Sequence, residues 1–173
     1  ETVRRAAVFS LIEILSNAPG QRSHELRETM VEKLSATDHR SVVDSLVDIL
    51  EQGTQPHQRR NATWLLGRVT GEDDREEAIG ALAEVLDDDD ALTAQFAATS
   101  VATLGGEAAE DALLDVLDDP GASADARAKA AFALGKVGGE RARDRLDGVV
   151  DRTDDEEVRK RAFSALSKLG GRE

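Results

Sequence analysis

Apolar positions along the chain fall into two kinds of segment that alternate. The first kind reads leucine, any residue, acid, then two aliphatics. Its copies are Leu11-Ile12-Glu13-Ile14-Leu15, Leu46-Val47-Asp48-Ile49-Leu50, Leu82-Ala83-Glu84-Val85-Leu86 and Leu113-Leu114-Asp115-Val116-Leu117, with Leu146-Asp147-Gly148-Val149-Val150 a weaker fifth. The second kind places Arg, then Ala three residues on, then Leu-Gly: Arg59, Ala62, Leu66 and Gly67; Arg127, Ala130, Leu134 and Gly135; Arg159, Ala162 and Leu166. Thr93 to Gly106 keeps the apolar skeleton with Ala94 in the Arg place, and Arg27, Met30 and Leu34 form a degenerate copy. The leading leucines and the anchors Met30, Ala62, Ala97, Ala130 and Ala162 recur at spacings of 31 to 36 residues. Two independent series with one period identify an array of repeated units.

Each segment has helical rather than strand spacing. Val158, Ala162, Ala165, Leu166 and Leu169 make one stripe of a helix. Gly105-Gly106, Gly138-Gly139 and Gly170-Gly171 follow their segments as helix stops, because glycine tolerates the left-handed backbone found at helix C-termini. Asp87 to Asp90, Asp118-Asp119-Pro120-Gly121 and Asp154-Asp155 fill the other turns, where a carboxylate can cap the next helix. Proline occurs only at 19, 56 and 120, between the expected helices. The pattern predicts one all-α domain over 1–173, an α-α superhelix (α-solenoid) of five helix pairs with approximate repeats 1–37, 38–71, 72–106, 107–139 and 140–173.

These motifs resemble the HEAT-repeat family in its short, phycobilisome-lyase-type form, across nearly the whole chain and most specifically from Arg59 to Gly171. The resemblance implies a right-handed superhelix with the first helices outside and the second helices lining the concave side. It also implies a structural ladder in which the motif arginines, here Arg27, Arg59, Arg127 and Arg159, contact acids of the turns; Ala94 interrupts it.

With the anchors pointing inward, offsets −2, +2 and +6, with −1 and −5 beside them, face the other way. They read His57, Arg60, Asn61, Trp64 and Arg68; Leu92, Gln95, Phe96, Thr99 and Thr103; Asp125, Ala128, Lys129, Phe132 and Lys136; and Glu157, Lys160, Arg161, Ser164 and Lys168. The first repeat offers Glu25, Glu28, Thr29 and Glu32. Of one Trp and four Phe, Trp64, Phe96 and Phe132 land on this face, and Phe9 and Phe163 are assigned to the core. Four of the lysines, Lys129, Lys136, Lys160 and Lys168, lie there too. The expected partner-binding set is therefore His57, Arg60, Trp64, Arg68, Phe96, Lys129, Phe132, Lys136, Lys160, Arg161 and Lys168, presented to a protein or peptide.

Charge narrows the partner. The chain carries 35 acidic and 22 basic residues, a formal −13, so nucleic acid and anionic membrane are not the expected partners. Arg outnumbers Lys, Asp outnumbers Glu and aromatics are few, which fits a cytoplasm rich in salt that screens carboxylate repulsion. No cysteine is present, no segment approaches a membrane span, and the helical pattern already running at Glu1 points to a piece of a longer chain. His24, His39 and His57 are the only imidazoles. His24-Glu25 is similar to the His-Glu pairs of HEAT-repeat di-iron hydroxylases, but such a site needs several pairs, so no metal and no cofactor are expected. The turn carboxylates are too solvated for pKa tuning. The expectation is an interaction scaffold and not an enzyme; the alternatives are a bilin lyase-like subunit, after the name of the repeat type, and nucleic-acid binding through the lysine end.

Overall fold

The computed structural model describes residues 2–37, 39–53 and 55–170, with the backbone alone for residues 2, 4, 20, 21 and 39. Gly171 lies outside the described residues, as does the side chain of His39. Among the described residues the chain forms ten α-helices and no strand. The first helices of five successive pairs are α1 (Thr2–Ser16), α3 (His39–Gln52), α5 (Arg75–Glu84), α7 (Gly106–Asp118) and α9 (Glu140–Arg152). Their partners are α2 (Gly20–Ser35), α4 (Pro56–Val69), α6 (Ala91–Leu104), α8 (Ala124–Val137) and α10 (Glu156–Lys168). Each helix packs on its own partner and on the equivalent helices of adjacent pairs, so the molecule is an all-α solenoid, as the two-series pattern predicts.

The period places the core. Leu46, Leu82, Leu113 and Leu146 on the first helices are buried, and so are all the anchors from Met30 to Ala162. Small residues let the second helices approach. Gly67 lies against Ser100, whose hydroxyl donates to the Thr63 carbonyl at 3.0 Å, and Gly135 lies against Ala165. The segment Leu82 to Leu86 is not one helix. α5 ends at Glu84 and a 3₁₀ turn (Val85–Asp87) follows, in which the Val85 amide donates to the carbonyls of Leu82 and Ala83. Val85 and Leu86 are both buried there, as the equivalent Ile49 and Leu50 are within α3.

The turns are capped as their residues dictate. Asp90 accepts from the Thr93 amide at 2.9 Å, Asp155 from the Val158 amide at 2.9 Å, and Ser123 from the Ala126 amide at 3.1 Å. Gly105 and Gly138, at φ 60° and 80°, close α6 and α8 in the left-handed region. Pro56 is the first residue of α4 rather than part of the turn before it, a place where its missing N–H costs nothing.

The motif arginines do not behave alike. Arg59 pairs with Asp88 in the turn before α6. Arg27 donates instead to Asn61 Oδ1 at 3.2 Å, and Arg159 to the Thr153 carbonyl. Arg127 buries its Nε with no acceptor. The register explains the difference: Asp88 stands nine residues before its anchor Ala97, and the same place before Ala62 and Ala162 holds Gly53 and Thr153.

Two aromatics assigned to the core are exposed. Phe9 is 38% and Phe163 51% accessible. Phe9 stands two residues before Leu11, where the other first helices carry Asp44, Gly80, Asp111 and Asp144, all of them outward. Phe163 follows its anchor directly. Thr63, Ala98 and Ala131 hold that place in α4, α6 and α8 and are buried under the next pair, but α10 belongs to the last described pair.

Candidate interaction face

Of the positions opposite the anchors, Asn61, Ala128 and Lys129 are buried, and the others lie at the surface of the second helices to differing degrees. His57, Leu92, Gln95, Lys136, Lys160, Ser164 and Lys168 are exposed, and Trp64, Phe96 and Phe132 are half-buried. Trp64 and Phe132 rest against the core by one side. Each ring therefore has a packed edge that holds it in place and an open part that a partner can reach.

Cations flank two of these rings. The Arg68 guanidinium lies 4.0 Å from the Trp64 ring centroid and that of Arg27, from α2, lies 5.6 Å away. The ammonium groups of Lys136 and of Lys168, from α10, lie 4.7 and 5.2 Å from the Phe132 centroid. Such contacts contribute about 0.5–1 kcal/mol each at exposed sites and fix the cation over the ring. Burial lowers the proton affinity of Arg68; Glu28 opposes the shift and Arg27 adds to it. Arg27 was not expected here. Its signal was Gly53, which leaves it without a turn acid, while buried Asn61 holds it and also donates to Ser16 Oγ at 3.0 Å.

The remaining cations of the expected set are neutralised. Arg60 grips Asp90 through its terminal nitrogen at 2.9 and 3.0 Å, tying α4 to the cap of α6. Lys129 pairs with Asp125, Lys160 with Glu156 at 2.8 Å, and Arg161 with Glu157 at 3.0 Å. Among the described residues, Arg68, Lys136 and Lys168 have a ring beside them and no carboxylate at ion-pair distance, although Glu28 acts on Arg68 from farther off. The face thus separates into a Trp64 cluster, a Phe132 cluster, and between them Phe96 with the exposed Leu92. His24 and His57 are both exposed, and among the described residues no group of three or more His, Asp or Glu is placed to hold a metal ion.

Stacked helix pairs, small interface residues and one exposed face of second helices define the class: an α-solenoid of repeated pairs. The chain belongs to the HEAT-repeat family, whose pattern, described as HEAT repeats, matches residues 8–102, 43–124 and 110–173. The HEAT repeat-containing taxis protein of Halobacterium salinarum is 60% identical over 162 residues, which are 93% of this chain and 40% of that protein. The chain therefore spans 40% of the length of this curated relative. Human deoxyhypusine hydroxylase, solved in complex with glycerol, superposes with a TM-score of 0.61 at 20% identity, over 95% of this chain and 74% of its own. A designed armadillo repeat protein matches at TM-score 0.46 and 18% identity, over 95% of this chain and 82% of its own.

The hydroxylase overturns one expectation. The expectation that the chain is not an enzyme rested on the repeat and on the lack of a catalytic grouping in the sequence, and here an enzyme carries the same architecture. A stack of HEAT-like pairs is no argument against catalysis. At this identity the likeness conveys the fold alone. No helix among the described residues is long and apolar enough to cross a membrane.

Proposed function

We propose that this chain is a protein-interaction module of a taxis system in a salt-adapted cytoplasm, docking an acidic segment of its partner on the second-helix face. The observation that carries the reading is the Phe132 cluster: two ammonium groups on one ring, without carboxylate partners, in a chain of charge −13. The kinship with a taxis protein of a halophilic archaeon supports the setting. In molar salt the screening length shrinks to about 3 Å, so distant charges do not steer and only contact-range pairs count. Rings that stack and cations already poised over them suit that condition.

The test combines Trp64→Ala and Phe132→Ala in the chromosomal copy of a halophilic host. Expansion on swimming plates should fail, and partners that co-purify with the wild-type chain should be lost while the helical signal of the purified variant is retained. An Asp44→Ala variant, changed on the exposed side of α3, should keep both. Normal taxis with an unchanged partner set in the double variant would overturn the reading.

A further inference from the structure

An open cavity of about 400 Å³ lies between the fourth and fifth pairs, away from the second-helix face. Leu117, Val149 and Val158 supply an apolar wall, and Arg127, Arg145 and Arg152 line the rest. Asp118 is the one carboxylate among the described lining residues, and it already accepts from Arg145 Nε at 2.5 Å. Three guanidiniums and one carboxylate leave two positive charges in excess, inside a chain of charge −13.

The excess traces to the repeat register. In α4 the guanidinium of Arg59 meets Asp88. Arg127 holds the same place in α8, but the residue equivalent to Asp88 is Thr153, which lines the cavity without charge. The Arg127 Nε is buried with no acceptor. Arg27 and Arg59 also bury Nε without an acceptor, yet each sets a terminal nitrogen on Asn61 or Asp88. Arg152 holds itself in place by donating Nε to the Gly148 carbonyl at 3.0 Å, which leaves its terminal nitrogens for another acceptor.

We propose that this cavity is an oxyanion site in which a phosphate dianion takes the place of the missing turn carboxylate. Guanidinium forks match the geometry of phosphate oxygens, and a dianion balances the two excess charges. The volume exceeds one phosphate group, and the apolar wall offers the organic part of a monoester a surface to lie on. The ligand class is a phosphate monoester, with free phosphate sharing the same chemistry.

Calorimetric titration of the chain at constant ionic strength tests this with inorganic phosphate, phenyl phosphate and acetate as probes. Both phosphates should bind, and acetate should bind at least about tenfold more weakly because it offers one charge. Tighter binding of phenyl phosphate assigns the site to monoesters, and equal binding assigns it to the free ion. Arg127→Gln should weaken phosphate by about tenfold or more, since a charge-assisted pair is lost. Thr153→Asp restores the ladder acid and should displace phosphate from within, without lowering the melting temperature. Arg22→Gln, exposed on α2 in the first pair and remote from the cavity, should leave phosphate binding unchanged. Absence of phosphate binding to the wild type, acetate binding as tight as phosphate, or undiminished binding in a folded Thr153→Asp variant would each overturn the proposal.

Discussion

Alanine at Gly135 should loosen the last two helix pairs, although alanine is the better helix former. A Cβ there would lie 2.7 Å from Ala165 Cβ and 2.8 Å from Ala165 Cα. Non-bonded carbons rest at about 3.5–4.0 Å, so α10 has to retreat from α8 by roughly 1 Å. The obstacle is backbone as well as side chain, and no rotamer relieves it. Overpacking of this kind costs about 1–3 kcal/mol, and the helix-propensity gain returns about 0.8–1.0 kcal/mol. With two contacts this short the net is a loss of about 1–2 kcal/mol. Gly80 gives the opposite sign from the same chemical change. It sits in α5, exposed, with nothing within 4 Å of the added atom, so only the gain of about 0.5–1 kcal/mol remains. Thermal unfolding followed by circular dichroism at fixed high salt reads both. A domain of this size shifts by about 2–4 °C per kcal/mol, so Gly135→Ala should melt several degrees lower and Gly80→Ala slightly higher. Amide exchange in α9 and α10 should quicken in Gly135→Ala, because α10 loses its close seat on α8. A Gly135→Ala variant as stable as wild type, beside a stabilised Gly80→Ala, would refute the close approach of α8 and α10.

Three further outcomes follow from the same structure. The Thr93 hydroxyl first, and then Arg60, hold the Asp90 carboxyl below its ordinary value of 3.8. A carboxylate with a depressed folded pKa stabilises above its unfolded value and ceases to as pH falls through the folded one. Asp90→Ala should therefore cost about 1 kcal/mol in urea unfolding at neutral pH, and the deficit should narrow below pH 3.8; an equal deficit at both pH values would contradict this. With a formal charge of −13, helical circular dichroism should fall on dialysis to low ionic strength as repulsion is unscreened, and a salt-independent signal would remove the salt-adapted reading. Phe163→Ser should leave stability within about 0.5 kcal/mol, since Phe163 is half exposed; a drop of several degrees would put the ring back in a core.

The period was legible because every repeat solves the same local problem with its neighbours, so core positions return at one register. Phe9 was legible as well, had its register been compared with Asp44, Asp111 and Asp144 rather than its hydrophobicity weighed. Phe163 was not, because its surroundings depend on whether another pair stacks beyond α10, and its own sequence carries no mark of that. The pairs Lys129 with Asp125, Lys160 with Glu156 and Arg161 with Glu157 follow from i, i+4 spacing on one helix. Arg60 with Asp90 does not: thirty residues separate them, and only the stacking of α4 beside the turn before α6 brings them together.

That i, i+4 rule also explains why charge is left over on the second-helix face. Lys129, Lys160 and Arg161 each have an acid one turn earlier and are neutralised by it. One turn before Arg68 and Lys136 stand Trp64 and Phe132, and one turn before Lys168 stands Ser164. A ring in the acid's place orients the cation without cancelling its charge, because the ring has a quadrupole and no net charge. Lys168 then reaches across from α10 to the Phe132 ring and brings a second uncancelled charge to the same spot. The residue at offset +2 therefore decides what the cation at +6 does: an acid there would close an ion pair within the helix, and an aromatic leaves the charge to a partner. Phe132→Glu makes that decision the other way at one position. The substitution should pair Lys136 internally and remove the face's affinity for an acidic segment, while losing the packing that the ring's inner edge makes on the core.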